Sequence, residues 1–184
     1  MDTYNLKLLA ALLCEPEDVF WQADVFGKMR DRLSEDDPVR GELDALCALT
    51  ADLSEAQKQT ILVDYTRLFV GAGRALAAPY MRLWADAEHP WETEKLFDFF
   101  DRAGIALSEN LGDLPEHLAV LIEALALLRE GGEKDEADAR ELLVNYILPF
   151  APAWCEALQK AAVTDYYKGV ARLFDRWIRS EQTT

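Results

Sequence analysis

Histidine and cysteine are scarce in this chain, with two and three copies among 184 residues. Cys14, Cys47 and Cys155 are odd in number, far apart and in no C-x-x-C pair, so they suggest neither a disulfide framework nor a thiolate metal site. A reducing cytoplasm fits this usage. Two histidines are too few for most metal centres. Asp86-x-x-His89 has the i,i+3 spacing that puts two ligands on one helical face, but a di-metal carboxylate bundle needs a second such copy. The residue three before His117 is Leu114, so no metal is expected and His89, just ahead of Pro90, reads as a loop residue. Basic residues are also in deficit: 19 Lys and Arg against 34 Asp and Glu leave a net charge of −15. Nucleic-acid backbone binding needs clustered cations and is not expected, nor is docking on anionic membranes. A basic partner such as a peptide is favoured.

Long hydrophobic runs are missing as well. The stretch from Leu142 to Cys155 is interrupted by Asn145, Pro149 and Pro152 and falls short of the ~18 continuous apolar residues of a membrane span. The first residues show no basic region leading into an apolar run and a small-residue cleavage site, so no secretory signal is expected. No G-x-S-x-G or comparable nucleophile context occurs, and the three cysteines sit in apolar helical patterns where a buried, inert thiol is the common state. Gly71-Ala72-Gly73-Arg74 lacks the Lys-Ser/Thr ending of a phosphate loop and follows no strand, so its glycines read as helix terminators. Catalysis is not expected.

What is present is helical periodicity almost throughout, with no sustained strand-like alternation. With 51% hydrophobic residues the chain can bury a core. The expected fold is all-α, a single domain over residues 1–184 with about eight or nine helices. Leu6, Leu9, Leu12 and Leu13 begin the series. One stretch after Pro16 carries Phe20, Phe26, Met29 and Leu33, and a shorter one Leu43, Leu46, Cys47 and Leu49. Ser54 and Gln57 form an S-x-x-Q capping box ahead of Ile61, Leu62, Tyr65, Leu68 and Phe69. Residues 71–91, rich in Gly, Ala and Pro, form a long loop, and such loops in compact domains are often functional.

A helix over Trp91–Ala103 is expected to end at Gly104, and a linker over Ser108–Asp113 to lead into a central buried helix with Leu114, Leu118, Leu121, Ile122, Leu125 and Leu128. Gly131-Gly132 stops it. The acidic run Glu130 to Asp138 reads as a solvated face, and a helix over about Asp135–Leu148 leads to the corner at Pro149 and Pro152. The last helices cover Ala153–Ala162 and Asp165–Arg179. Asp165 is the expected cap of the second, and Tyr167, Val170, Phe174, Trp177 and Ile178 its inner stripe. Trp154 and Trp177 read as core, whereas Trp84 and Trp91 flank the long loop, where a partner-binding role and a packing role are both open.

Tyr65-x-x-Leu68-Phe69-x-Gly71-x-Gly73-Arg74, followed by Ala78-Pro79-Tyr80 and Trp84, resembles the signature of the TorD/DmsD/NarJ family of redox-enzyme maturation chaperones. Pro115-Glu116-His117-Leu118 resembles that family's Pro-Asp-His opening of a central helix. Leu148-Pro149-Phe150 and Tyr166-Tyr167 resemble its later corner and following helix. The pieces stand in order along the whole chain. Departures are Ala72 between the glycines, Ala78 for the first proline of a pair, Met81-Arg82 where Glu-Ser is usual, and Glu116 for Asp.

The resemblance implies a cytoplasmic, non-catalytic chaperone that binds the twin-arginine leader, the body, or both, of a molybdopterin oxidoreductase precursor until its cofactor is inserted and it is exported. Ala78-Pro79-Tyr80 leans toward clients of the DMSO/TMAO-reductase type, with a nitrate-reductase assembly role of the NarJ type as the alternative. The resemblance also allows guanine-nucleotide binding, which the residues themselves do not suggest, and either a monomer or a domain-swapped dimer. The residues it implies for the peptide site are Tyr65, Arg74, Pro79, Tyr80, Trp84, Glu116 and His117. Asp86, Glu88 and Trp91 are added as carboxylates and an aromatic edging an apolar groove, provided the 71–91 loop packs near the start of the central helix. The readings of another class are a helical metal-dependent enzyme using Asp86, His89 and Glu116, and an unrelated interaction scaffold.

Overall fold

Helices account for every regular element but one isolated bridge in the computed structural model, which describes residues 1–71, 74–106 and 114–183. The helices are α1 (Thr3–Ala11), α2 (Asp18–Gln22), α3 (Val25–Arg30), α4 (Arg40–Thr50), α5 (Glu55–Tyr65), α6 (Thr93–Ala103), α7 (Leu118–Arg129), α8 (Glu133–Leu142), α9 (Ala151–Ala161) and α10 (Asp165–Gln182). The all-α expectation holds. The count rises to ten because the stretch after Pro16 is two helices. Asp24 between them takes a left-handed conformation, φ 46°, and caps α3 by accepting from the Gly27 amide.

The chain groups into two compact units. One comprises Met1, Cys14–Ala78 and Pro152–Thr184, and the other Asp2–Leu13 and Pro79–Ala151. The 71–91 segment is therefore shared, Gly71–Ala78 to the first unit and Pro79 onward to the second.

In the first unit α10 buries the expected stripe, with Tyr167, Val170, Phe174 and Trp177 fully enclosed. Trp154 of α9 stands edge-on to Phe174 at 5.1 Å and donates its indole N–H to the Ala77 carbonyl at 2.9 Å. Both tryptophans are core, as expected. The cap of α10 is Thr164, one residue before the expected Asp165, because Thr164 is held by a buried acid from elsewhere in the chain. Asp64, on α5, accepts from the Val163 and Thr164 amides at 3.1 and 2.9 Å, from the Thr164 hydroxyl at 2.7 Å and from Arg67 at 2.8 Å. Arg67 also donates to the Ala161 carbonyl. One carboxylate thus ties the end of α5 to the α9–α10 corner. After α5 the chain widens into one π-helical turn, Thr66–Val70, ending at Gly71, whose N–H donates to the Thr66 carbonyl. Gly71 has φ 30°, and a Cβ there would meet the Ala75 backbone, so the terminator reading of this glycine holds. Gly73 lies outside the described residues.

In the second unit α7 is apolar almost all round, nine of its twelve residues being buried, and α1 and α8 pack on it. It starts at Leu118, not Leu114. Leu114 is exposed, and His117 caps the helix with its ring Nδ1, which accepts from the Ala119 amide at 3.2 Å. The linker expected over Ser108–Asp113 lies outside the described residues. Gly104 ends α6 in the left-handed region, as expected. Of the acidic run, Asp138 turns inward and is buried. Cys155 is buried, with its thiol pKa pushed up by that burial, but Cys14 is exposed where a buried thiol is expected, since α1 ends at Ala11.

Replacing Asp64 with Ala leaves its several donors without their acceptor and is expected to cost about 3 kcal/mol or more of stability. Asp64→Asn, which keeps one oxygen, is expected to cost less. Urea unfolding midpoints of the two variants check both the size and the order.

Candidate functional site

The site in the second unit is built from an extended stretch laid against the start of α7. Helix N-termini leave amides without intrahelical acceptors. Here the Leu118 amide donates to the Pro79 carbonyl at 2.7 Å, and the Met81 amide donates to the Glu116 carbonyl at 3.0 Å. Tyr80 and His117 thereby face each other in an antiparallel bridge, with their rings edge to face at 5.0 Å. Pro79 is buried and Tyr80 half-buried. A proline suits this edge position, because only its carbonyl is used.

Beyond Tyr80 the chain makes one 3-10 turn, Met81–Trp84, with Met81 buried, Leu83 exposed and Trp84 half-buried. Arg82 on this turn reaches the Glu116 carboxylate, Nε to Oε1 2.9 Å. The Glu116 side chain is only 5% exposed, against 51% for that of Arg82. An isolated carboxylate so buried would be strongly disfavoured, and the paired guanidinium offsets that cost. His117 is also buried, and the nitrogen it uses as a cap acceptor carries no proton.

Of the residues expected to form the peptide site, the structure brings Pro79, Tyr80, Glu116 and His117 together, and Trp84 ends the turn that Tyr80 opens. Asp86 has a different task. Its carboxylate accepts from the Glu88 and His89 amides at 2.9 and 2.7 Å, which closes a tight turn and holds its pKa below the usual carboxylate range. His89 is an exposed loop residue, Nδ1 3.5 Å from Asp86. The i,i+3 pair therefore lies on a turn and not on a helix. Glu88 is exposed. Trp91 precedes α6, donates to the Thr93 hydroxyl at 3.1 Å and packs edge-on against Phe150 and Tyr146 at 5.1 and 6.0 Å, which is a packing role.

Tyr65 and Arg74 belong to the first unit. Tyr65 stands edge-on to Phe69 at 5.4 Å, and Phe69 to Tyr167 at the same distance, so Tyr65 anchors the start of the loop to the core. Arg74 is exposed and lines an open, mostly apolar cleft of about 430 Å³ with Val63, Thr66, Arg67, Gly71 and Leu76. Its positive charge opposes a basic segment and suits an apolar segment or an acid. Among the described residues no three His, Cys, Asp or Glu side chains gather as a metal-binding group.

Sequence reasoning passed over two residues. Arg82 registers only as a departure from a pattern, and Asp64 sits unremarked in an apolar stripe. The signal for Asp64 was its position, since an acid between Ile61 and Leu68 at helical spacing falls on a buried face.

The fold and site define an all-helical protein with a carboxylate, an imidazole and a phenol ring clamped at one helix start. The chain belongs to the nitrate reductase delta subunit family, whose model matches residues 33–156. Among similar proteins, Chaperone protein TorD of Vibrio cholerae serotype O1 is 23% identical over 142 residues, which cover 71% of this chain and 64% of that relative's length. Among solved structures, a provisionally assigned redox enzyme maturation protein from Archaeoglobus fulgidus shares the fold, with a TM-score of 0.56, 18% identity and coverage of 96% of this chain and 93% of that one.

The cap geometry gives a sharp expectation. His117→Ala removes the acceptor for the Ala119 amide and is expected to destabilise the protein by about 1 kcal/mol, while His117→Asn restores most of that. Thermal unfolding of the two variants tests it.

Proposed function

We propose that the protein is a maturation chaperone that binds the twin-arginine leader, the body, or both, of a molybdopterin oxidoreductase precursor in the cytoplasm, with no catalytic step and no cofactor of its own. The observation that carries this reading is the family match over residues 33–156, and the TorD relative supports it. The site chemistry agrees with it. A leader combines arginines with an apolar stretch, and the second unit holds the Glu116 carboxylate next in sequence to His117, on which Tyr80 packs edge to face, with Leu83 exposed on the adjoining turn. A chain of net charge −15 also draws a basic segment in from a distance.

The Ala78-Pro79-Tyr80 element favours a client of the DMSO/TMAO-reductase type. A nitrate-reductase client is the second reading, favoured by the description of the family model.

Purification of the tagged protein from its native host, grown anaerobically with several electron acceptors, is expected to recover a molybdopterin oxidoreductase precursor by mass spectrometry. Recovery is expected to fall about tenfold or more in a Glu116→Ala, His117→Ala variant that still folds. Absence of any such enzyme, from cells shown to express one, would overturn the chaperone reading.

A further inference from the structure

We propose that the Glu116 carboxylate is a guanidinium receptor, which Arg82 occupies in the free protein and which an arginine side chain of a bound peptide takes over. That the incoming arginine belongs to a leader rests on the function proposed above. The receptor itself rests on the geometry.

Three observations carry it. The Glu116 side chain is 95% enclosed, yet its cation comes from a residue whose own side chain is half in water. Arg82 therefore leaves at little packing cost, while Glu116 stays. The backbone of Glu116 is also held independently of the ion pair, since the Met81 amide donates to the Glu116 carbonyl and the Leu118 amide to the Pro79 carbonyl beside it. Loss of Arg82 leaves the receptor's backbone clamped. Finally, Arg82 and Glu116 stand in a chain where acids outnumber bases 34 to 19, so other carboxylates are plentiful as partners for an exposed arginine.

A buried carboxylate must be compensated in every state of the protein, because stripping its partner leaves an uncompensated charge. Exchange of one guanidinium for another meets that condition at each end of the reaction. An ammonium does not substitute well, since the planar fork of donors is what matches a carboxylate. The internal arginine thus preserves the empty site and sets a threshold that a competing side chain must exceed.

The test uses the full-length protein with Arg82→Ala. Millimolar methylguanidinium is expected to raise the melting temperature of this variant above that seen with equal methylammonium, with no such difference for the unsubstituted protein or for Arg82→Ala combined with Glu116→Gln. Should Arg82→Ala fail to fold, Arg82→Gln carries the same comparison. No differential rise in a folded Arg82 variant overturns the receptor.

A labelled synthetic leader peptide with an Arg-Arg pair is then expected to bind the Arg82 variant about tenfold or more tightly than the unsubstituted protein, with a smaller gain for a Lys-Lys version. Weaker binding to the variant overturns the handover. A methylguanidinium effect with no peptide binding to either protein upholds the receptor and sinks the leader reading instead.

Discussion

Two backbone hydrogen bonds, from the Leu118 amide to the Pro79 carbonyl and from the Met81 amide to the Glu116 carbonyl, govern what the second unit can present to a partner. The most apolar helix of that unit begins at Leu118, so its first amides need acceptors that water does not readily supply to a buried helix end. Pro79 meets one of them and the His117 ring the next. The segment is too short for a strand, yet its pairing fixes which way each side chain turns. Tyr80 is set on His117, and Arg82 is delivered to Glu116. The chemistry of the site is a by-product of how a helix start is satisfied.

The first unit solves the same problem with a side chain. The start of α10 is capped by Thr164, whose own amide and hydroxyl are both held by Asp64, a hundred residues earlier. Arg67 on the next turn balances the charge and holds the Ala161 carbonyl at the end of α9. In each unit, then, the beginning of a deeply buried helix is fixed by a distant segment.

Local features of the fold were legible in the sequence because their causes are local. The Ser54–Gln57 box closes as its spacing requires, Gly104 ends α6 in the left-handed region, and the α10 stripe is buried residue for residue. Features decided by tertiary partners were not. Periodicity alone runs straight through Asp24, where the chain turns with positive φ, and extends α7 back to Leu114, whereas the helix is capped by His117 and begins at Leu118. Of the site, the motif residues Pro79, Tyr80, Glu116 and His117 were identified and do assemble, because their resemblance covers both sides of the bridge. The Arg82–Glu116 pair, 34 positions apart in sequence, has no periodic or compositional trace. Asp86 and Trp91 were legible as polar and aromatic loop residues, but whether such residues face a partner or their own chain is settled only by neighbours such as the His89 amide or Phe150.

Charge acts on two scales in this molecule, and the distinction separates attraction from selection. A surface with a large excess of acids accelerates encounter with any basic segment, and salt screens that effect within about 8–10 Å. It does not tell arginine from lysine. Discrimination requires a carboxylate withdrawn from water, where the geometry of the donor matters and a poorly matched one leaves part of the burial cost uncompensated. Glu116 meets that condition, whereas Glu88, out in solvent, does not, and the Asp86 carboxylate is already committed to its turn. A withdrawn carboxylate is unstable alone, so a protein that keeps one for a partner must also keep something in its place. Arg82, tethered one turn beyond the bridge that positions its target, is placed to do that.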